Sequence, residues 1–395
     1  MSQVQTEQVL SLSEDKKVIL KQILAWFSSN KRPAYLTLGG FAGTGKTTLI
    51  AVLRRLLAKK NPKLRVAFVA FTGKATQTLQ HYLRSLSVIY RQDNVSTIHS
   101  LIYTLLEKNS GQMIWQKKDQ LKFDLIVIDE ASMLDEAIWR DLLSYQIPIL
   151  AVGDHGQLPP INGRFNLMQN PTLRLESIHR QEQGNPIIKL SVLARTTGQI
   201  PVGTYGKKVR KLAKSDPESG ELVENYLQSA NQETLILCGY NHTRVKLNQY
   251  LRNIRGIEGQ LPQAGDRLIC LRNNYAKGIF NGMLGTLERV SRQDEDLLAV
   301  EIDFDDGQYY EGLALAKQFH APANLTYSAK IKQLLKTADL FDFGYALTVH
   351  KAQGSQAKRV ILFEERFKQM TAEDWRRWLY TAVTRAEEEL IIIGD

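Results

Sequence analysis

Apolar residues in this chain fall mainly into short unbroken runs, each followed closely by a polar cluster. Ala34–Leu38, Arg65–Phe71, Leu125–Ile128 and Ile147–Val152 are too short for helices and do not alternate. They predict strands buried on both faces. Helical periodicity fills the intervals, beginning with an amphipathic helix over 11–29, for which Ser11 or Ser13 is a plausible N-cap. Alternation of buried strand and helix implies an α/β core with a parallel sheet. The same pattern returns at Glu233–Cys238, Tyr345–Val349, Arg359–Phe363 and Leu390–Ile393, predicting a second α/β core. Between its halves lie shorter strands, Asp266–Leu271, Gly285–Val290 and Leu298–Phe304, with turns at Asn281-Gly282 and Asp305-Asp306-Gly307. These predict a small antiparallel barrel inserted into the second core. Tyr103–Glu107 and Gln112–Gln116 flank a Lys-Asn-Ser-Gly turn, which predicts a β-hairpin inserted into the first core over about 103–121. The expected domains are 1–170 for the first core, 171–261 with 341–395 for the second, and 262–340 for the barrel and a connecting arm.

Every polar cluster just described follows the C-terminal end of a strand, where ligand sites of open α/β sheets form. The first is Gly40-Phe41-Ala42-Gly43-Thr44-Gly45-Lys46-Thr47, leading into Thr48 and an apolar helix. Strand, glycine loop and helix N-terminus together make a phosphate cradle. Gly43 and Gly45 let backbone N–H groups converge, Lys46 supplies a cation for the β and γ phosphates, and the Thr47 hydroxyl can ligate Mg²⁺. Gly40, Thr44 and Thr48 complete the expected nucleotide contacts. Asp129-Glu130, after the third run, adds one carboxylate for the Mg²⁺ shell and one to accept a proton from attacking water. Gln157, in Gly-Gln-Leu-Pro-Pro, is a γ-phosphate sensor if that segment is more than a polar turn. Phosphoryl transfer also calls for cations on the γ phosphate. Arg180 and Arg385 are candidates, though composition alone does not single them out.

Composition adds two constraints. Among 395 residues, Lys and Arg exceed Asp and Glu by ten, which suits a polyanionic partner such as nucleic acid. Cys238 and Cys270 are too few for a disulfide framework and sit in apolar runs, as small core residues do. No apolar run approaches the roughly 20 residues needed to span a bilayer, and Met1–Leu12 lacks the apolar centre of a signal peptide. A cytoplasmic protein with no membrane partner is expected.

Taken in order, the clusters resemble the conserved segments of superfamily 1 helicases, in the branch of RecD-like proteins and the bacteriophage Dda helicase. The similarity runs through Gly40–Thr47, Phe71–Ala75, Ser96–Leu101, Ile128–Met133, Val152–Pro160, Glu176–Gln181, Ala346–Ser355 and Tyr380–Ala386. It implies two RecA-like cores enclosing a nucleotide cleft, with ATP and Mg²⁺ as cofactors. Lys46 and Thr47 would hold phosphate and metal, Asp129 the metal, and Glu130 the attacking water. Gln157, Arg180 and Arg385 would touch the γ phosphate, with Gln353 and Gly354 lining the cleft. Phe71, Thr72, Lys74, Thr97, His99, Thr348, His350 and Lys351 would lie along single-stranded DNA, a set of phosphate-binding and stacking types. The hairpin corresponds to the element that splits the duplex, with Met113 or Trp115 as the wedge unless the tryptophan packs on its own core.

The resemblance further implies translocation with 5′-to-3′ polarity on single-stranded DNA and action at duplex junctions, by a monomer with replication or recombination proteins as partners. RNA or RNA–DNA unwinding within the same superfamily is the alternative. A DNA-binding scaffold with a lapsed ATPase sits poorly with an intact set of chemical residues. One position departs from the family: Lys16 stands where a glutamine would read adenine, and lysine offers no acceptor. Either Gln8 or Gln22 takes that place, or selectivity for the base is relaxed.

Overall fold

The computed structural model of the chain describes residues 12–107, 113–159, 165–177, 184–274, 277–325 and 329–395. The chain divides into two compact units, Met1–Ile188 and Lys189–Asp395.

The first unit contains α1 (Glu14–Ser28), β1 (Tyr35–Gly40), α2 (Lys46–Lys60), β2 (Val66–Ala70), α3 (Gly73–Ser85), β3 (Asn94–Thr97), α4 (Ile98–Ile102), β4 (Tyr103–Glu107), β5 (Met113–Lys117), β6 (Leu125–Asp129), α5 (Glu136–Leu143), β7 (Ile149–Gly153) and β8 (Leu173–Leu175). Six strands form one parallel sheet in the order β3-β2-β6-β7-β1-β8. Side chains along each central strand alternate between two cores. Val66, Phe68, Leu125, Val127, Leu150 and Val152 face one. Ala67, Val69, Ile126, Ile128, Ile149 and Ala151 face the other. Both faces are covered, which is why the strands read as continuous apolar runs. The hairpin expected over 103–121 is present as antiparallel β4 and β5; its turn and the side chains of Met113 and Trp115 lie outside the described residues.

The second unit contains α6 (Pro186–Thr197, which begins at the boundary), β9 (Gly203–Gly206), β10 (Val209–Leu212), α7 (Pro217–Gln228), β11 (Thr234–Cys238), α8 (Asn241–Asn253), β12 (Arg267–Cys270), β13 (Leu284–Arg292), β14 (Leu297–Phe304), β15 (Tyr309–Leu315), α9 (Ala329–Leu334), β16 (Ala338–Asp339), β17 (Phe341–Phe343), β18 (Ala346–Thr348), β19 (Ala357–Phe363), α10 (Ala372–Val383) and β20 (Ala386–Ile393). Its main sheet runs β18-β11-β19-β20-β10-β9, parallel except for the β9–β10 hairpin at the edge. The inserted sheet runs β16-β15-β14-β13-β12-β17. Its end strands β16 and β17 are separated in sequence only by Leu340, so one extended segment leaves the β15 edge and joins the β12 edge. That crossover curls the sheet into a nearly closed barrel, filled by Leu287, Val300, Ile302, Phe304, Phe341 and Phe343.

Two expected boundaries move. Residues 171–188, assigned to the second core from the sequence, fall in the first unit because β8 pairs with β1. Residues 341–343 belong to the barrel, because β17 pairs with β12. The basic excess is also partly internal: Arg54, Arg244, Arg252 and Arg385 are each at most 2% exposed. On the arm, Lys317 and Lys330 both converge on Asp296, at 2.8 and 2.6 Å.

Arg54 ties α2 to the loop entering β3. Its Nε and Nη2 donate to the two Asp93 carboxylate oxygens at 2.9 Å each, and the same carboxylate accepts from the Tyr90 and Val66 amides. Removing one partner of a buried pair strands the other charge. Asp93→Ala is therefore expected to lower the first unit's unfolding free energy by about 3–5 kcal/mol in urea titration. A loss below about 1 kcal/mol would show the pair to be dispensable.

Candidate active site and nucleic-acid interface

The site begins where β1 ends. Gly43 and Gly45 adopt left-handed φ values of 76° and 80°, which non-glycine residues rarely sustain. With Gly45 as its N-cap, α2 starts at Lys46 without any side-chain cap, so its first N–H groups are left for an anion. Thr44 is buried and closes the loop on itself, its Oγ1 donating to the Phe41 carbonyl at 2.7 Å. Lys46 Nζ donates to the Gly40 and Phe41 carbonyls at 2.8 and 3.1 Å, which holds its ammonium across the loop. Thr48 Oγ1 pairs with the Tyr82 hydroxyl at 2.7 Å, linking α2 to α3. Thr47 is half-buried beside it.

Sheet register brings the other groups alongside. The order β6-β7-β1 and the pairings Ile128↔Ala151 and Leu38↔Val152 set the ends of three strands level. Asp129 and Glu130, Asp154 to Gln157, and Gly40 are therefore neighbours at one edge, although more than a hundred residues separate the first glycine from Gln157. Burial, with the Glu130 charge beside it, pushes the Asp129 carboxyl up to about 6, while Lys46 pulls it the other way. Asp129 Oδ1 accepts from the Glu130 amide at 3.0 Å. Glu130 itself has φ 53°, a left-handed backbone that costs an ordinary residue about 1–2 kcal/mol.

Several buried polar atoms here lack a hydrogen-bond partner among the described residues: Glu130 Oε2, Ser132 Oγ, His155 Nδ1 and Gln157 Oε1. Such orphans are uncommon, and their clustering beside a phosphate cradle fits a polar ligand and its metal. Among the described residues no group of three or more His, Cys, Asp or Glu is placed to hold a metal ion.

His155 and Phe41 received no role from the sequence. Their rings sit 4.2 Å apart, and a Cβ at Gly39 would come within 2.8 Å of His155 Nδ1. The aromatic inside the glycine loop was the available signal. Lys16 is the other unexpected neighbour: it is 3% exposed, and a Cβ at Gly45 would lie 2.9 Å from its Nζ.

The nucleic-acid candidates of the first unit collect at the ends of adjacent strands, since Ala70 pairs with Thr97. Thr72 and Thr97 are helix N-caps, accepting from the Ala75 and Ser100 amides at 3.2 Å each. Phe71 is half-buried, with its ring 5.8 Å from that of His99. His99 is buried, and burial lowers its pKa below the usual imidazole value; it backs Phe71 and Tyr103 from within. The Lys74 side chain and all of Arg180 lie outside the described residues. In the second unit, Thr348 pairs with Cys238 at the end of β18, followed by half-buried His350 and Lys351. Burial and the Arg244 charge push Lys351 down to about 8. Gln353 is buried and Gly354 has φ 73°. Arg385 is 1% exposed; its guanidinium donates to the Thr381 and Ser355 carbonyls at 2.9 and 3.2 Å, bracing α10 against the loop after Gly354.

Residues 21–216 match the AAA domain family, and residues 343–393 the UvrD-like helicase C-terminal domain. The chain is 27% identical to the ATP-dependent RecD2 DNA helicase of Deinococcus radiodurans, over 97% of this chain and 49% of that protein. It therefore spans about half of that relative's length. It is 24% identical to the RecBCD enzyme subunit RecD of Buchnera aphidicola subsp. Schizaphis graminum, over 99% and 76% of the two chains. A crystal structure of Pif1 helicase from Bacteroides, in complex with ADP-AlF3 and single-stranded DNA, shares the fold with a TM-score of 0.52 at 18% identity. That match covers 96% of this chain and 92% of the other.

The strained backbone at Glu130 yields a measurable trade-off. Glu130→Gly relieves the left-handed φ and removes a buried carboxylate oxygen without a partner. Thermal unfolding is expected to show a gain of about 1 kcal/mol, with loss of any nucleotide hydrolysis. Destabilisation of that size or more would mean that the carboxylate, not the backbone, sets the balance.

Proposed function

As a superfamily 1 helicase of the RecD-like and Pif1-like kind, the chain carries a site for which we propose one central reaction: hydrolysis of Mg-ATP, driving 5′-to-3′ translocation on single-stranded DNA and separation of duplex ahead of it. The observation that carries this reading is the level alignment of glycine loop, paired carboxylates and Gln157 at one sheet edge, with orphaned buried oxygens among them.

The loop amides and the Lys46 ammonium bind the triphosphate, for which Lys46 exchanges its present carbonyl partners. Thr47 and Asp129 would hold Mg²⁺, which would supply neutralisation of the triphosphate charge. Glu130 takes the proton of the attacking water through its Oε2, which has no hydrogen-bond partner among the described residues. Gln157, whose Oε1 lacks a partner, bonds the γ-phosphate side while the triphosphate is intact and loses that bond after cleavage. Arg180 and Arg385, from outside the loop, stabilise charge on the transferred group. The Arg385 guanidinium also donates to the Ser355 carbonyl, which braces that loop against α10. The loop bears Gln353 and Gly354 and directly follows Thr348, His350 and Lys351, the DNA track of the second unit. Phe71, Thr72, Lys74, Thr97 and His99 form the corresponding track on the first unit, with Phe71 stacking a base and His99 holding it in place.

The DNA itself is proposed from the similarity to DNA helicases and from the residue types of the two tracks. Duplexes with only a 5′ or only a 3′ single-stranded tail test the reading. Unwinding from the 5′ tail is expected, absent in Lys46→Ala. Unwinding from the 3′ tail instead would reverse the polarity, and full activity in Lys46→Ala would remove the nucleotide site.

A further inference from the structure

Lys16 is a buried cation without an evident structural role in α1. It lies in the first turn of α1, 3% exposed, and among the described residues no hydrogen bond or ion pair engages its ammonium. Desolvated ammonium groups are costly without a partner, and this burial depresses the Lys16 pKa, with the neighbouring Asp15 charge opposing. The ammonium is directed at the phosphate cradle: a Cβ at Gly45 would lie 2.9 Å from Nζ and 3.2 Å from Cε, and 3.9 Å from Thr48 Oγ1. Gly45 is the N-cap of α2, whose first N–H groups have no side-chain cap.

A lysine ammonium has three donors and no acceptor, so it suits phosphate oxygens and cannot pair with adenine's combined donor and acceptor edge. Beyond Lys46, which sits on the Gly40 and Phe41 carbonyls, the cradle thus has a second cation over Gly45 and the start of α2. We propose that Lys16 binds the phosphate chain of the nucleotide, making this site selective for the triphosphate group and permissive for the base, so that ATP, GTP, CTP and UTP are all substrates. The proposal rests on the reading of the glycine loop as a nucleotide site, and it narrows what that site recognises.

The same geometry sets the glycine requirement at position 45 twice over. A left-handed φ of 80° disfavours any side chain, and the volume a Cβ would fill belongs to Lys16.

Binding of each of the four nucleoside triphosphates and of inorganic tripolyphosphate to the whole chain is the test, in wild type, Lys16→Ala, Lys16→Gln and Lys16→Arg. Wild type is expected to bind the four triphosphates within roughly tenfold of one another. Lys16→Ala is expected to weaken all four and tripolyphosphate alike, by about tenfold or more, as loss of a charged hydrogen bond does. Lys16→Arg should restore part of that loss. Unchanged thermal unfolding and DNA binding in Lys16→Ala would show that the fold is intact. If Lys16→Ala weakens ATP but not tripolyphosphate, or if wild type prefers one base by a hundredfold, Lys16 does not act on phosphate and the proposal fails while the nucleotide site stands. If wild type binds neither nucleotide nor tripolyphosphate, both fail.

Discussion

Two left-handed glycines hold this site together. At φ 76° and 80°, Gly43 and Gly45 turn the chain out of β1 tightly enough for α2 to begin at once, with its N-terminal amides around one concavity. Everything else is arranged against that concavity. The buried face of α2, from Leu49 to Ala58, fixes the helix to the sheet, so the loop cannot drift from the strand ends beside it. A single added methyl group at Gly45 would meet both backbone strain and Lys16.

The parallel sheet contributes position rather than chemistry. Because β6, β7 and β1 are adjacent and in level register, carboxylates, amide and glycines from distant segments reach one edge. The strand interiors that achieve this are apolar apart from Thr37, while polar atoms without partners among the described residues gather just past their ends. Burial then tunes the chemistry, raising Asp129 to about 6 beside Glu130 and lowering Lys351 to about 8. Strain at Glu130 and desolvation at Lys16 are local costs that packing of the core offsets.

Much of this was legible in the sequence, for a physical reason. Strands covered on both faces must be apolar throughout, so β1, β2, β6 and β7 announce themselves, and glycine spacing marks the loop that follows. Elements with weaker burial did not. β3 is half-buried along its length, β8 has three residues, and the β9–β10 hairpin mixes glycine and charge, so none carries a periodic signal. Missing β8 displaced the boundary of the first unit. The barrel itself was expected, but not the segment that closes it, since the crossover from β16 to β17 depends on pairing at both edges and not on composition. Among site residues, Lys46, Asp129 and Glu130 followed from spacing, whereas Arg385 looked no different from other arginines and proves to be buried on carbonyls of its own unit. The approach of Lys16 to Gly45 required coordinates, because a lysine in an amphipathic helix ordinarily reads as a solvated residue.

The account turns on whether the carboxylate at the strained turn drives a hydrolysis that DNA controls. Steady-state ATP hydrolysis by wild type and Glu130→Gln, with and without an oligo(dT) strand, measures this most directly. The strand should accelerate wild type at least about tenfold, and Glu130→Gln should lose hydrolysis by roughly a hundredfold or more while still binding nucleotide. Hydrolysis indifferent to the strand, or a Glu130→Gln variant as fast as wild type, would contradict it.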